Sequence, residues 1–120
     1  MIERTFDYRI IKKIATWQPV ISSKVIYLID GLNGVWVFHE HLDGLMAHIE
    51  MSPECRGKEA VEKSKQALQW IFEKTPYTKV YAEIPKKNKP ACHNAARIGF
   101  KFMKEENNKR FYEVTQDAIR

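Results

Sequence analysis

The chain has 120 residues, 44% hydrophobic and 12% aromatic, with a formal net charge of +5. That length predicts one domain over 1–120, and so many aromatic residues exclude a disordered chain. No apolar run reaches membrane-spanning length and Met1-Ile-Glu-Arg-Thr lacks a secretory core, so a cytoplasmic protein without a membrane role is expected; its positive balance suits an anionic partner. Phe6, Ile10, Ile11, Ile14 and Trp17 recur at three- and four-residue steps, which predicts an amphipathic helix ended by Pro19. Residues 24–30 contain Val25-Ile-Tyr-Leu-Ile29, a buried-strand run, and Gly31-Leu-Asn-Gly34 is turn chemistry. Residues 35–40 read as a second strand, Asp43-Gly44 as a hairpin turn, and 45–51 as a third strand.

The period then changes. Ala60, Val61, Ser64, Leu68, Ile71 and Phe72 form a helical stripe over 57–74, broken by Thr75-Pro76. Residues 79–84 read as a strand, and 90–98 as a short helix with Pro90 in its first turn and Gly99 as its stop. Residues 100–104 and 111–114 flank Asn107-Asn108, a predicted hairpin turn. The order is helix, strand meander, helix, strand, helix, hairpin. This predicts an α/β (α+β) fold with a mixed, mostly antiparallel sheet flanked by helices.

Two strand-to-helix junctions stand out. At the first, Arg56-Gly57-Lys58 opens a helix. The first turn of a helix has unpaired N–H groups and a positive dipole end, Gly57 permits close backbone approach, and two cations add charge. This spacing suits a pyrophosphate; the plainer reading is a solvated helix start. At the second, Asn88, Ala91, Ala95, Gly99 and Phe100 follow the strand over 79–84.

Together the junctions resemble the GNAT superfamily of acetyltransferases over roughly residues 25–114. The family's coenzyme A motif, Arg/Gln-x-x-Gly-x-Gly/Ala, aligns with Arg56-Gly57-Lys58-Glu59-Ala60-Val61. Glu59 stands where the family prefers Gly, and Val61 where it prefers Gly or Ala, so the motif is a degraded match. The family's Asn-x-x-Ala-x-x-x-Tyr-x-x-x-Gly-Phe aligns with Asn88, Ala91, Gly99 and Phe100, with Ala95 at the Tyr position. The resemblance implies a GNAT-like sheet with two splayed central strands. It implies acetyl-CoA as cofactor, with the pyrophosphate at Arg56, Gly57, Lys58, Glu59 and Ala60 and the pantetheine near Ile49, Met51 and Asn88. It implies an amine acceptor, either a small molecule or a protein. In many members the Tyr protonates the departing thiolate; with Ala95 there, Tyr112, Tyr81 or solvent is left for that task. The short chain is also similar to members encoded by bacteriophages and prophages, which implies a host cytoplasm or virion setting.

A two-residue turn at Asp43-Gly44 pairs Leu42 with Leu45, His39 with His48 and Val37 with Glu50. One face is then mainly apolar. The other gathers His39, His41, His48 and Glu50. Three readings stand: a base for an amine nucleophile, a metal site, or a wet sheet face. In the family the base often comes from the strand before the cofactor motif, which here carries Glu50 and His48.

Lys86-Lys87-Asn88-Lys89 is the densest basic run and reads either as a polyanion site or as a solvated loop. No interleaving with exposed aromatics is visible, which argues against nucleic acid. Cys55 and Cys92 have no metal or redox spacing and read as reduced thiols, and no His-Asp arrangement makes Cys55 a nucleophile. The leading expectation is an N-acetyltransferase. The alternative is a non-catalytic scaffold or interaction protein that keeps the fold, which Glu59 and Ala95 favour. An exposed edge at the C-terminal hairpin offers a route to an oligomer.

Overall fold

A computed structural model describes residues 1–20, 22 and 24–119. In chain order its elements are β1 (Glu3–Arg4), α1 (Tyr8–Ile14), β2 (Ile26–Ile29), β3 (Gly34–His41), β4 (Gly44–Met51), α2 (Gly57–Lys74), β5 (Lys79–Pro85), α3 (Lys89–Ile98), β6 (Lys101–Glu106), β7 (Lys109–Thr115) and α4 (Gln116–Ile119). The strands form one sheet in the order β1-β2-β3-β4-β5-β7-β6. Only β4 and β5 pair in parallel; every other neighbouring pair is antiparallel. The expected class, a mixed and mostly antiparallel sheet with helices on its faces, is the observed one.

Alternation along β3 and β4 sends side chains to two separate cores. Trp36, Phe38, Leu45 and Ala47 pack with Val61, Leu68 and Ile71 of α2 and with Ala95 and Ile98 of α3. On the opposite face, Val35 and Val37 pack with Tyr27, Ile29 and Ile11 of α1. The stripe on α2 is buried as expected, with Ala67 added to it. The Trp36 indole donates to Ser64 Oγ at 3.0 Å, which locks α2 over β3. At the α2 start Gly57 has φ +61°, a left-handed conformation that an L side chain rarely adopts.

The β3–β4 hairpin departs from its expected register. The turn is Leu42-Asp43, with His41 opposite Gly44, so Val37 pairs with His48 and Val35 with Glu50. Leu42 takes the positive φ of 52° that Asn or Gly would normally supply. Gly44 is instead the first residue of β4, because a Cβ there would lie 2.3 Å from the Lys79 carbonyl oxygen. Close approach to β5 therefore claims the glycine that turn chemistry assigned to the hairpin. The shift moves every pair by two positions, an even number, so the two faces keep the residues expected of them.

Helix α1 is also shorter than its apolar spacing suggested. Asp7 caps it, accepting from the Arg9 N–H at 3.0 Å, and it ends at Ile14 rather than running to Pro19. Trp17 consequently lies in the connection to β2. Short elements at the two ends, β1 and α4, carry too few residues for a periodic signal. Asn107 and Asn108 do form the last turn, both with positive φ, between Glu106 and Lys109.

Candidate active site

The central feature is a gap in the sheet. Strands β4 and β5 pair only at Leu45–Val80 and Met46–Tyr81. Beyond those pairs β4 runs on to Met51 and β5 to Pro85 without meeting, while β5 stays paired with β7 along its length. The slot between them has a volume of about 510 Å³. Small side chains keep it open: Ala47 and Ala82 on the strands, Ala60 and Ser64 on α2, Ala91 and Ala95 on α3.

One end of the slot meets the start of α2. Arg56 lines it, and no side chain caps the helix there, so first-turn N–H groups stay available to an oxygen-rich ligand. Ala60 lines the slot too, whereas Gly57, Lys58 and Glu59 are exposed beside it and lie outside its lining. Glu59 therefore does not project its charge into the space in front of Arg56. Ile49, Met51 and Asn88 all line the slot. Asn88 is also the N-cap of α3, its side-chain oxygen accepting from the Ala91 N–H at 3.3 Å. Asn94, nearly two turns on from Asn88 and absent from the sequence expectations, adds a second amide to the lining.

His48 and Glu50 reach the slot from β4. The Glu50 carboxylate accepts from the Thr16 N–H at 3.1 Å and from the Thr16 hydroxyl at 3.4 Å. It thereby anchors the connection that carries Trp17, which lines the same slot. The His48 and His39 rings stack with centroids 5.3 Å apart, and their Nε2 atoms are 3.2 Å apart. His39 Nδ1 lies 3.3 Å from the Glu40 carbonyl oxygen, which can only accept. In the neutral pair His39 therefore carries its proton on Nδ1, its Nε2 accepts from His48 Nε2–H, and His48 Nδ1 keeps the lone pair. Partial burial, then the neighbouring His39, pushes the His48 pKa below the ordinary imidazole value, with Glu83 opposing. Such an imidazole is unprotonated and able to take a proton at neutral pH.

Other expected groups lie elsewhere. His41 packs edge-on against Tyr81, 5.3 Å between centroids, so the three imidazoles do not converge. Among the described residues no three His, Cys, Asp or Glu side chains converge as a metal set. The Tyr81 hydroxyl donates to Asp43, and Tyr112 is buried against Phe102; neither lines the slot. Burial, then the Glu59 charge, pushes the Cys55 thiol up, away from a reactive thiolate. Lys86 pairs with Glu105 at 3.1 Å, while Lys87 and Lys89 are exposed.

A second cavity, of about 480 Å³, opens on the α1 face of the sheet. Val25, Tyr27 and Val37 form its apolar wall, and His39 and His48 also line it. Trp17 stacks on Tyr27 with centroids 6.4 Å apart, and the Tyr27 hydroxyl both accepts from the Val20 N–H at 2.8 Å and donates to the Val20 carbonyl at 2.9 Å. Trp17 and His48 line both cavities.

No protein-family model matches the sequence, and no curated protein matches it significantly. Solved structures do resemble it. The N-acetyltransferase PseH of Campylobacter jejuni, in complex with acetyl coenzyme A, is 16% identical, with a TM-score of 0.67 over 79% of this chain and 70% of that one. The N152L mutant of the spermidine N-acetyltransferase SpeG of Vibrio cholerae is 16% identical, with a TM-score of 0.78 over 99% of this chain and 95% of the other. A GNAT-family acetyltransferase of Bacillus anthracis is 18% identical, with a TM-score of 0.64 over 78% and 67%. The seven-stranded, mostly antiparallel sheet with its flanking helices is thus the fold that this chain shares with these acetyltransferases.

Proposed function

We propose that this protein is an acetyl-CoA-dependent N-acetyltransferase of one domain over residues 1–120. The observation that supports this most strongly is the open slot between β4 and β5, with Arg56 and the uncapped start of α2 at one end and His48 at its side. The residues fit the cofactor: a phosphate-bearing end at Arg56 and the α2 amides, and an uncharged arm along Ile49, Met51 and Asn88. Bound acetyl-CoA supplies an activated acetyl thioester. Gly57, Lys58, Glu59 and Ala60 contribute backbone to the same helix start, with Glu59 directed to solvent.

His48 is the base in this reading. Its Nδ1 accepts the proton that the amine loses as nitrogen bonds to the acetyl carbon, and the charge is shared through Nε2–H with His39. Glu50, offered by the sequence beside His48, holds the Thr16–Trp17 connection against the slot. The amine releases one proton and the departing sulfur needs one, so the proton on His48 balances the exchange without a tyrosine. Positioning two reactants in one slot supplies a large part of the rate. The unpaired Cys55 and Cys92 suit a reducing, cytoplasmic setting, and the resemblance of the sequence to phage-encoded members supports a phage-like origin.

A second reading has its own observation. Ala95 occupies the position where the family places its acid, and the slot lining holds no tyrosine among the described residues. That favours a scaffold that kept the fold without its chemistry. Calorimetric titration of acetyl-CoA separates the two. Micromolar binding that Arg56→Glu weakens at least about tenfold is the expected result; the loss corresponds to about 1.4 kcal/mol or more. No heat at millimolar cofactor overturns the transferase reading in favour of the scaffold.

A further inference from the structure

The cavity on the α1 face has a composition that the acetyl transfer alone does not require. Its wall is aliphatic and aromatic, from Trp17, Val25, Tyr27 and Val37. The Tyr27 hydroxyl is already committed to the Val20 backbone, so the wall offers little polar chemistry of its own. Among the described residues no carboxylate, lysine or arginine lines it; beside the Tyr27 hydroxyl its polar side chains are Gln18, His39 and His48. A volume of about 480 Å³ is that of a small-molecule pocket.

The cavity adjoins the slot. His48 and Trp17 line both this cavity and the slot between β4 and β5, so a molecule seated here presents one end to the slot. A polyamine needs carboxylates along its length to replace the water around its several ammonium groups, and this wall has none. A single amine fits differently: its apolar body takes the wall and its nitrogen goes to the end shared with the slot, beside His48. A lining of Trp17, Tyr27 and two valines suits an aromatic or branched body better than an unbranched lysine stem.

We infer that this cavity is the acceptor site, and that it takes a monoamine on an aromatic or bulky aliphatic body, with the amine directed to His48 and the body between Trp17, Tyr27, Val25 and Val37. The assignment of the amine as acetyl acceptor rests on the transferase reading; the assignment of the pocket to that class of amine does not.

The test has a binding arm and a turnover arm. In the first, 2-phenylethylamine, spermidine and Nα-acetyl-lysine amide are titrated separately into the protein while the histidine ring signals are followed by NMR. Phenylethylamine is expected to shift His39 and His48 while leaving His41 and His93 in place, with spermidine giving no such shift. In the second, initial rates with acetyl-CoA are expected to favour phenylethylamine over the other two by about 10- to 100-fold in kcat/KM, the range set by burying one aromatic ring. Val25→Asp, which places a carboxylate on the wall, is expected to reverse or flatten that preference while acetyl-CoA binding stays unchanged.

Each other outcome decides something. Preference for spermidine or the lysine probe overturns the apolar-amine assignment and leaves the transferase reading standing. Failure to bind acetyl-CoA, with the His39 and His48 shifts still seen, overturns the transferase reading and leaves the pocket assignment standing. If no amine perturbs His39 and His48, the pocket assignment is overturned whatever the cofactor does.

Discussion

Glu50 and His48 sit two residues apart on one strand and look equivalent as bases in the sequence. Their surroundings separate them. Glu50 spends its carboxylate on Thr16, whereas His48 faces both cavities and keeps Nδ1 free because Nε2 is occupied by His39. If the protein is the proposed transferase, His48→Gln is expected to lower kcat by about 10²- to 10⁴-fold, the usual worth of a positioned base, with acetyl-CoA affinity unchanged. The pH dependence has a definite sign. On the proposed transferase reading, a lowered imidazole pKa keeps His48 neutral down to below 6.5, so the base itself is lost only as pH drops through that lower value, below the pH at which the amine acceptor becomes protonated. Removing the neighbouring ring in His39→Phe takes away one cause of the lowering, so the acid limb of kcat/KM and the NMR titration midpoint of His48 both move to higher pH. An unchanged midpoint would sink the coupling between the two rings.

The β3–β4 hairpin shows how an element resolves a conflict that its sequence leaves open. Asp43-Gly44 is the stronger turn signal, but Gly44 is needed where β4 touches the Lys79 backbone. The turn falls one residue earlier and Leu42, exposed on the surface, takes the left-handed conformation. Two substitutions then have opposite expected signs. Leu42→Gly relieves the strained φ and stabilises by about 1 kcal/mol. Gly44→Ala drives a methyl into the Lys79 carbonyl and destabilises by about 2–3 kcal/mol, as overpacking does. Urea unfolding measures both. A turn centred on Gly44 would make Leu42→Gly neutral and Gly44→Ala a strain in the turn itself. Helix α2, by contrast, was legible from end to end: Gly57 at the start, Thr75-Pro76 after the end, and an apolar stripe between them leave a single solution.

Across the whole molecule, Asp30 ties the meander to α2. It is buried at the end of β2, where it accepts from Lys63 of α2, from the Met1 amino group and from Asn33 Nδ2 at 3.1 Å. Burial alone would raise its pKa. The hydrogen bonds from Lys63, the amino terminus and Asn33 outweigh that and hold the carboxyl well below its ordinary 3.8. A carboxylate lowered in this way contributes stability above its unfolded value and loses it as pH falls through the acid range. Lys63→Met leaves the buried charge short of its main partner and is expected to cost about 3 kcal/mol at neutral pH. The gap between variant and native protein should narrow on acidification to about pH 3, where the unfolded carboxyl is protonated. Denaturant unfolding at the two pH values checks this; a gap independent of pH would mean that Lys63 acts through packing instead.

The sequence by itself determined the order of elements, the α/β class, the slot residues Ile49, Met51, Arg56 and Asn88, and which side chains share each face of the hairpin. The class and the shared faces follow from periodicity, caps and the alternation of a strand, which are local and survive a two-residue shift in register; the slot residues came from the resemblance carried by the two strand-to-helix junctions. Tertiary structure decided the rest. It parted β4 from β5 after two pairs, turned Glu59 outward, separated His41 from the other imidazoles and brought Trp17 to the wall of two cavities. The last two depend on residues distant in sequence: Tyr81 against His41, and Glu50 against Thr16 beside Trp17. No local pattern encodes such contacts, because they come into being only when the sheet closes around its two cores.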